Sequence, residues 1–475
     1  MNESFYWHDY ETFGIDPQQD RASQFAGIRT DLEFNIIDEP LVVYCRLPED
    51  CLPSPEACLI TGITPQRVAH GLNEAEFTAR IHEQLARPQT CGVGYNSIRF
   101  DDEVTRNLLY RNFYDPYARE WQQQNSRWDL IDLVRACHAL RPEGINWPVN
   151  EDGVVSLKLE ALSKANHIIH EHAHDALSDV YATIAMAQLI KQKQAKLLDF
   201  ALGLRNKHKV LEILALGQFK PLVHISGRYP NKRHNLAVIV PLCAHPFNDK
   251  EIIVYDLSVA PEQFLALSSE ELRERMFSNQ ENRDEALVRL PIKTLHINKC
   301  PFIAPINVLR QQDCQRLNLD LDLIKRHLDV LKTNLGFTGT VQQIFSKRPE
   351  STATDPELMI YSGGFFGNHD KQLMNQIRES EPGNLAMINP EFKDPRLATL
   401  WFRYKARNWP ESLDETDKQN WRDFCGQRLH QGNPSAWQKF NDAIDRLETN
   451  GSANIAILQE LRAYADSCSP ENYPC

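Results

Sequence analysis

The run Phe5-Tyr6-Trp7-His8-Asp9-Tyr10-Glu11-Thr12-Phe13-Gly14 constrains this chain more than any other stretch. It is dense in aromatic residues, which predicts a strand buried on at least one face. Side chains alternate along a strand, so Asp9 and Glu11 point to the same side. Two carboxylates on one half-buried surface repel each other unless a cation lies between them. Hard oxygen donors of this kind select Mg²⁺ or Mn²⁺. The competing reading is a solvated strand end with two unrelated acids, so the rest of the chain must supply further ligands.

Two stretches do so. Cys91-Gly92-Val93-Gly94-Tyr95-Asn96 reads as a short buried strand, and Phe100-Asp101-Asp102-Glu103 after it opens a helix. That helix turns Val104, Leu108 and Leu109 inward and leaves Arg106, Asn107 and Arg111 for solvent. Asp101, at a strand-to-helix junction, is a third carboxylate; an N-cap is its alternative. Further on, His167, His170, His172 and His174 precede an apolar helix whose first turns carry Asp179. A zinc site is disfavoured there, because no Cys or carboxylate at metal spacing accompanies the histidines. One histidine used as a general base fits better, since imidazole titrates near neutrality, and His174 is the candidate. Between these motifs, Phe25–Arg29, Glu33–Ile37 and Leu41–Cys45 read as three adjacent antiparallel strands, and Asn73–Arg87 has helical spacing.

At 475 residues the chain exceeds one ordinary core, and ~100–200 residues per domain gives two to four domains. Its 11 cysteines are singly spaced, which predicts free thiols in a reducing, cytoplasmic compartment. No apolar run approaches the ~18 residues of a membrane span. A formal net charge of −12 excludes a protein that coats nucleic acid through overall charge. The charge is nevertheless segregated. Lys191, Lys193, Lys196, Arg205, Lys207, Lys209, Lys220, Arg228, Lys232 and Arg233 are opposed between Lys191 and His234 only by Asp199 and Glu212. That is a polyanion-binding face, or else a solvated helix surface. β-Branched runs at 222–225, 236–240 and 251–255 then suit a small barrel in which Phe200 and Tyr229 could stack on bases, although core packing is the commoner role of such aromatics. Beyond Pro349 the periodicity is helical, and the Gly363-Gly364-Phe365-Phe366 turn there could reach a bound strand.

Asp-x-Glu on a first strand, Asn96 through Phe100 to Asp101, and His174 with Asp179 together resemble the DEDD exonuclease superfamily in its histidine-containing branch. The segments His8–Gly14, Phe100–Arg106, Arg141–Pro148, Arg205–Lys209 and His296–Pro301 are similar to the bacterial exodeoxyribonuclease I family. That resemblance implies a ribonuclease H-like α/β domain (1–194), an SH3-like β-barrel domain (195–349) and an all-helical C-terminal domain (350–475), folded in a C shape around single-stranded DNA. It implies processive 3′→5′ hydrolysis to 5′-mononucleotides with two Mg²⁺ ions, for which Mn²⁺ can substitute, in DNA repair and recombination. Asp9 would bridge the ions, Glu11 and Asp179 would hold the one carrying the attacking water, Asp101 the other, and His174 would take the water's proton. The candidate DNA-contacting cations are Arg106, Arg135, Arg141, Lys158, Lys207 and Lys220; at Lys158 the family is expected to carry Arg, and Lys keeps the charge but not the bidentate fork. The implied partner, besides DNA, is the acidic C-terminal tail of single-stranded DNA-binding protein, docking on basic residues of the first or last domain of a monomer without membrane contact. A 3′→5′ exoribonuclease of the same superfamily, or a catalytically silent single-strand binder, are the alternatives.

Overall fold

The computed structural model describes residues 3–170, 174–277, 288–346, 353–451 and 454–469. The chain forms two compact units, one of residues 1–126, 170–184 and 351–475, the other of 127–169 and 185–350.

The first sheet contains β1 (Ser4–Thr12), β2 (Ala22–Thr30), β3 (Leu41–Tyr44), β4 (Thr90–Gly94) and β5 (Ser126–Asp129) in the order β3-β2-β1-β4-β5. β1 is its central strand, antiparallel to β2 and parallel to β4. Alternation along β1 assigns its two faces. Tyr6 and Tyr10 pack with Phe25 on Phe77 and Ile81 of the helix Glu74–Leu85 and on Val104 and Leu108 of the helix Asp101–Arg111. The odd residues line the other face, where Phe5 and Trp7 enclose Phe34 with ring centroids 5.4 and 5.3 Å away. Asp9 and Glu11 continue that face, so it turns from aromatic to acidic within one strand. On β2, Gly27 stands opposite His8, and a Cβ built there would meet the Tyr6 hydroxyl oxygen at 2.3 Å. Gly27→Val is therefore expected to destabilise the protein by about 1–3 kcal/mol in chemical denaturation, through overpacking against Tyr6.

The segment Glu33–Ile37 is not a strand. Asp31 Oδ1 accepts the peptide N–H groups of Glu33 and Asn35, both at 2.8 Å, and Phe34 takes a left-handed φ of 69°. The Asp side chain competes for the backbone and closes a turn, which drops Phe34 into the core and leaves Ile36 and Ile37 exposed.

Helices of the C-terminal segment belong to the same unit as β1 to β4. Phe113 and Tyr110 pack with Met374, Leu397 and Trp401, and Phe13 packs with Phe440, Ile444 and Leu461. The helices Asn368–Glu379, Pro395–Asn408, Glu415–His430, Ala436–Thr449 and Ile455–Ser467 make up the helical stretch that the periodicity beyond Pro349 predicts.

The second unit contains an antiparallel sheet of β6 (Leu222–Ile225), β7 (Leu236–Ala244), β8 (Glu251–Asp256), β9 (Ile292–His296) and β10 (Phe302–Pro305), ordered β10-β6-β7-β8-β9. Pro241, which has no N–H to give a ladder, sits at the register shift of β7. Val238, Val240, Ile253 and Tyr255 pack against the helices Leu321–Thr333 and Gly336–Ile344. Phe200 lies against Phe302, and the half-buried Tyr229 is covered by Lys293 and Arg233. Among the described residues the cysteines are free and no helix is long and apolar enough to cross a membrane.

Candidate active site

β1 delivers Asp9 and Glu11, the first turn of the helix Asp101–Arg111 delivers Asp101, and the first turn of the helix Ala176–Gly203 delivers Asp179. The Tyr10 N–H donates to Asp101 Oδ1 at 3.3 Å, which ties the second helix to the strand. One ligand atom each from Glu11, His174 and Asp179 lies within 4.8 Å of the other two. Burial first, and then the charges of Asp101, Asp179 and Glu11, raises the Asp9 carboxyl well above the usual carboxylate range. Burial, followed by Asp179 and Asp101, pushes Glu11 up to about 8. Burial raises Asp179 as well, against the opposing pull of His170 and His174. Acids that resist one another's ionisation while being held together form a donor set suited to a hard divalent cation, and the residues present fit that group.

The sequence-derived set of Asp9, Glu11, Asp101, His174 and Asp179 thus converges within the first unit. His174 is exposed, with a left-handed φ of 67°. His172 lies outside the described residues. Two participants escaped the sequence reading. His170 Nε2 is 2.5 Å from Asp179 Oδ1. Gln24, fully buried and opposite Glu11 in the register, uses its amide nitrogen on Tyr44 Oη and Asp175 Oδ2, each at 3.1 Å, and its amide oxygen accepts the Ala176 N–H at 3.3 Å. Asp175 Oδ1 in turn accepts the Ser178 N–H. Gln24 therefore pins to β2 the start of the helix that presents Asp179. The signal was in the sequence: a Gln within the apolar run Ala22–Ile28 has to find partners if buried. Gln24→Ala is expected to lower kcat about 10-fold with little change in KM, the scale of losing an outer support of a carboxylate that holds a cation.

Of the cationic candidates, Arg106 is corrected. It is buried rather than solvent-facing, with Nε and Nη1 each 2.7 Å from Glu120 and Glu103. Asn107 and Arg111 are buried too, the latter on Glu74 at 2.9 Å, because carboxylates of packed neighbours outcompete water for the guanidinium groups. In the second unit Arg135 donates to Asp132 and Arg141 to Val308 O and Asp313, whereas Lys158, Lys207 and Lys220 are exposed.

A mixed sheet whose central strand gathers hard oxygen donors from two helix starts is the arrangement of an exonuclease, and residues 6–187 match the Exonuclease family. Residues 205–347 match the Exonuclease I SH3-like domain and 354–468 the Exonuclease I C-terminal domain. The chain is 46% identical over 472 residues to exodeoxyribonuclease I of Escherichia coli K12, covering 98% of each. It superposes with a TM-score of 0.94 on the exonuclease I of the moderate thermophile Methylocaldum szegediense, at 48% identity over 98% of this chain and 100% of that one. A zinc-bound complex of E. coli exonuclease I with single-stranded DNA matches with a TM-score of 0.94 at 44% identity, covering 98% and 100%. The chain belongs to the exodeoxyribonuclease I family: it is a nuclease of the hydrolase class, with an exonuclease domain, an SH3-like domain and a C-terminal helical domain in that order.

Proposed function

We propose that this enzyme degrades single-stranded DNA processively from the 3′ end to 5′-mononucleotides, in DNA repair and recombination, with two Mg²⁺ ions that Mn²⁺ can replace. The observation that carries this reading is the gathering of four acids, in which Asp9 and Glu11 are raised by burial and by the carboxylates around them and Asp179 is raised by burial, a donor set that a divalent cation would stabilise in its ionised form. When bound, the ions supply a water of lowered pKa and neutralise charge on the leaving 3′ oxygen. Asp9 would be shared between them, Glu11 and Asp179 would complete one and Asp101 the other. His174, beside Glu11 and Asp179 yet open to solvent, would accept the proton of the attacking water at a ring nitrogen and pass it on. Lys158, Lys207 and Lys220 would meet backbone phosphates. Arg135 and Arg141 would do so with the N–H groups their carboxylate and carbonyl partners leave over. Domain boundaries at 194/195 and 349/350, a cytoplasmic monomer, and docking of the acidic tail of single-stranded DNA-binding protein complete the proposal. The likeness of nearly the whole chain to E. coli exodeoxyribonuclease I supports DNA over RNA.

The test is digestion of 3′-labelled and 5′-labelled single-stranded DNA, with RNA and duplex controls, in Mg²⁺ and in EDTA. Immediate loss of the 3′ label, gradual shortening of the 5′-labelled strand and no reaction in EDTA are expected. Preferential degradation of RNA, or binding without cleavage in Mg²⁺ or Mn²⁺, would overturn the reading.

A further inference from the structure

We infer that His170 is a positioning residue for Asp179, holding that carboxylate in the orientation in which it can share a divalent cation with Glu11. The inference rests on the proposed reading that Asp179 is a metal ligand. His170 Nε2 lies 2.5 Å from Asp179 Oδ1, and the His170 side chain is 4% exposed against 20% for Asp179. His170 therefore approaches from the protein side, while His174, an exposed residue, shares the cluster with Glu11 and Asp179. The other ring nitrogen, Nδ1, is buried and has no hydrogen-bond partner among the described residues. A ring committed to Asp179 through one nitrogen and walled in at the other has no route to an attacking water, so the two histidines divide their work: His174 at the solvent side for the proton, His170 behind the carboxylate.

The backbone of Asp179 is fixed independently. Its N–H donates to Asp175 O at 3.0 Å, and Gln24 pins Asp175 and Ala176. That leaves rotation of the carboxylate about its side-chain bonds as the remaining freedom. A hydrogen bond to one oxygen removes it and directs the second oxygen outward, which is how outer hydrogen bonds orient the ligands of metal sites.

Mn²⁺ binding without DNA, followed by electron paramagnetic resonance, tests this with wild type, His170→Gln, His170→Leu, Asp179→Asn and the His170→Leu/Asp179→Asn pair. Gln keeps a donor at a similar reach; Leu keeps bulk and loses the donor. The expected result is a 10–100-fold weaker Kd for His170→Leu, a Kd near wild type for His170→Gln, and no further loss when His170→Leu is added to Asp179→Asn. Unchanged or tighter Mn²⁺ binding by His170→Leu overturns the inference, the tighter result making His170 a competitor of the cation. Absence of Mn²⁺ binding by wild type defeats the underlying metal-site reading instead. Should His170→Leu not fold, ¹⁵N-histidine spectra of wild type give the same decision: the Nε2–H proton of His170 must stay bonded when Mg²⁺ saturates the site, and its release overturns the inference.

Discussion

Replacing Asp9 by Ala is expected to lower the rate of single-strand hydrolysis by at least roughly 10³-fold, equivalent to about 4 kcal/mol of transition-state stabilisation. Asp9 meets the charges of Asp101, Asp179 and Glu11, which puts its carboxylate among all the other acids of the cluster. The same change has an opposite effect on stability without metal. The raised pKa values of Asp9 and Glu11 mean that the folded state binds protons the unfolded chain has released, so between about pH 4 and pH 8 stability falls as pH rises. In EDTA, thermal unfolding of wild type should show this decline, and Mg²⁺ should remove it while raising stability by about 2.7 kcal/mol at a hundred times its Kd. The Asp9→Ala protein should be at least as stable as wild type in EDTA at pH 8, with little response to Mg²⁺. Calorimetry over this pH range checks both arms. A variant that lost activity by unfolding would instead show a lower transition temperature in EDTA.

The second large effect lies away from the chemistry. Arg407 is buried, its Nε and Nη2 at 3.0 and 2.7 Å from the two oxygens of Asp50 and its Nη1 on Glu357. Glu357 also receives Arg21 at 3.4 Å and Arg403 at 3.4 Å, and Arg428 lies 3.3 Å from Asp50. This network joins the loop at Asp50 to the C-terminal helices Pro395–Asn408 and Glu415–His430 within the first unit. Arg407→Leu leaves two buried carboxylates short of their main partner and is expected to destabilise by about 3–5 kcal/mol in urea, with Arg407→Lys recovering only part of the loss. Burial alone would raise Asp50, but Arg407 and Arg428 outweigh it and hold the carboxyl at about 2. Its contribution, about 2 kcal/mol, is therefore present above the ordinary value of 3.8 and is lost as pH falls from there through 2. Acid titration of wild type should show this loss, and in Arg407→Leu it should shrink or vanish.

Much of the candidate site is legible from the residues alone, because covalent periodicity determines it. Asp9 and Glu11 share a face whatever packs around β1, and Asp101 and Asp179 stand in first helical turns beside recognisable apolar stripes. The C-terminal helices are equally readable from their spacing. What failed did so where a side chain found a partner distant in sequence or made a local bond that periodicity does not encode. Arg106 and Arg111 follow the solvent phase of their helix yet are buried, since Glu120 and Glu74 arrive from other segments. Glu33–Ile37 has the composition of a strand and is turned by Asp31. His170 could not be distinguished from His167 or His174 by spacing, because only the folded loop decides which ring meets Asp179. The strand and its acids are properties of short stretches and could be read from residue order, and the order of the domains followed from the family resemblance those stretches carry. Which arginines are buried in ion pairs, which histidine meets Asp179 and that the C-terminal helices pack on Phe13, Tyr110 and Phe113 were decided by tertiary structure, because ion pairing and burial depend on neighbours that the chain brings together only on folding.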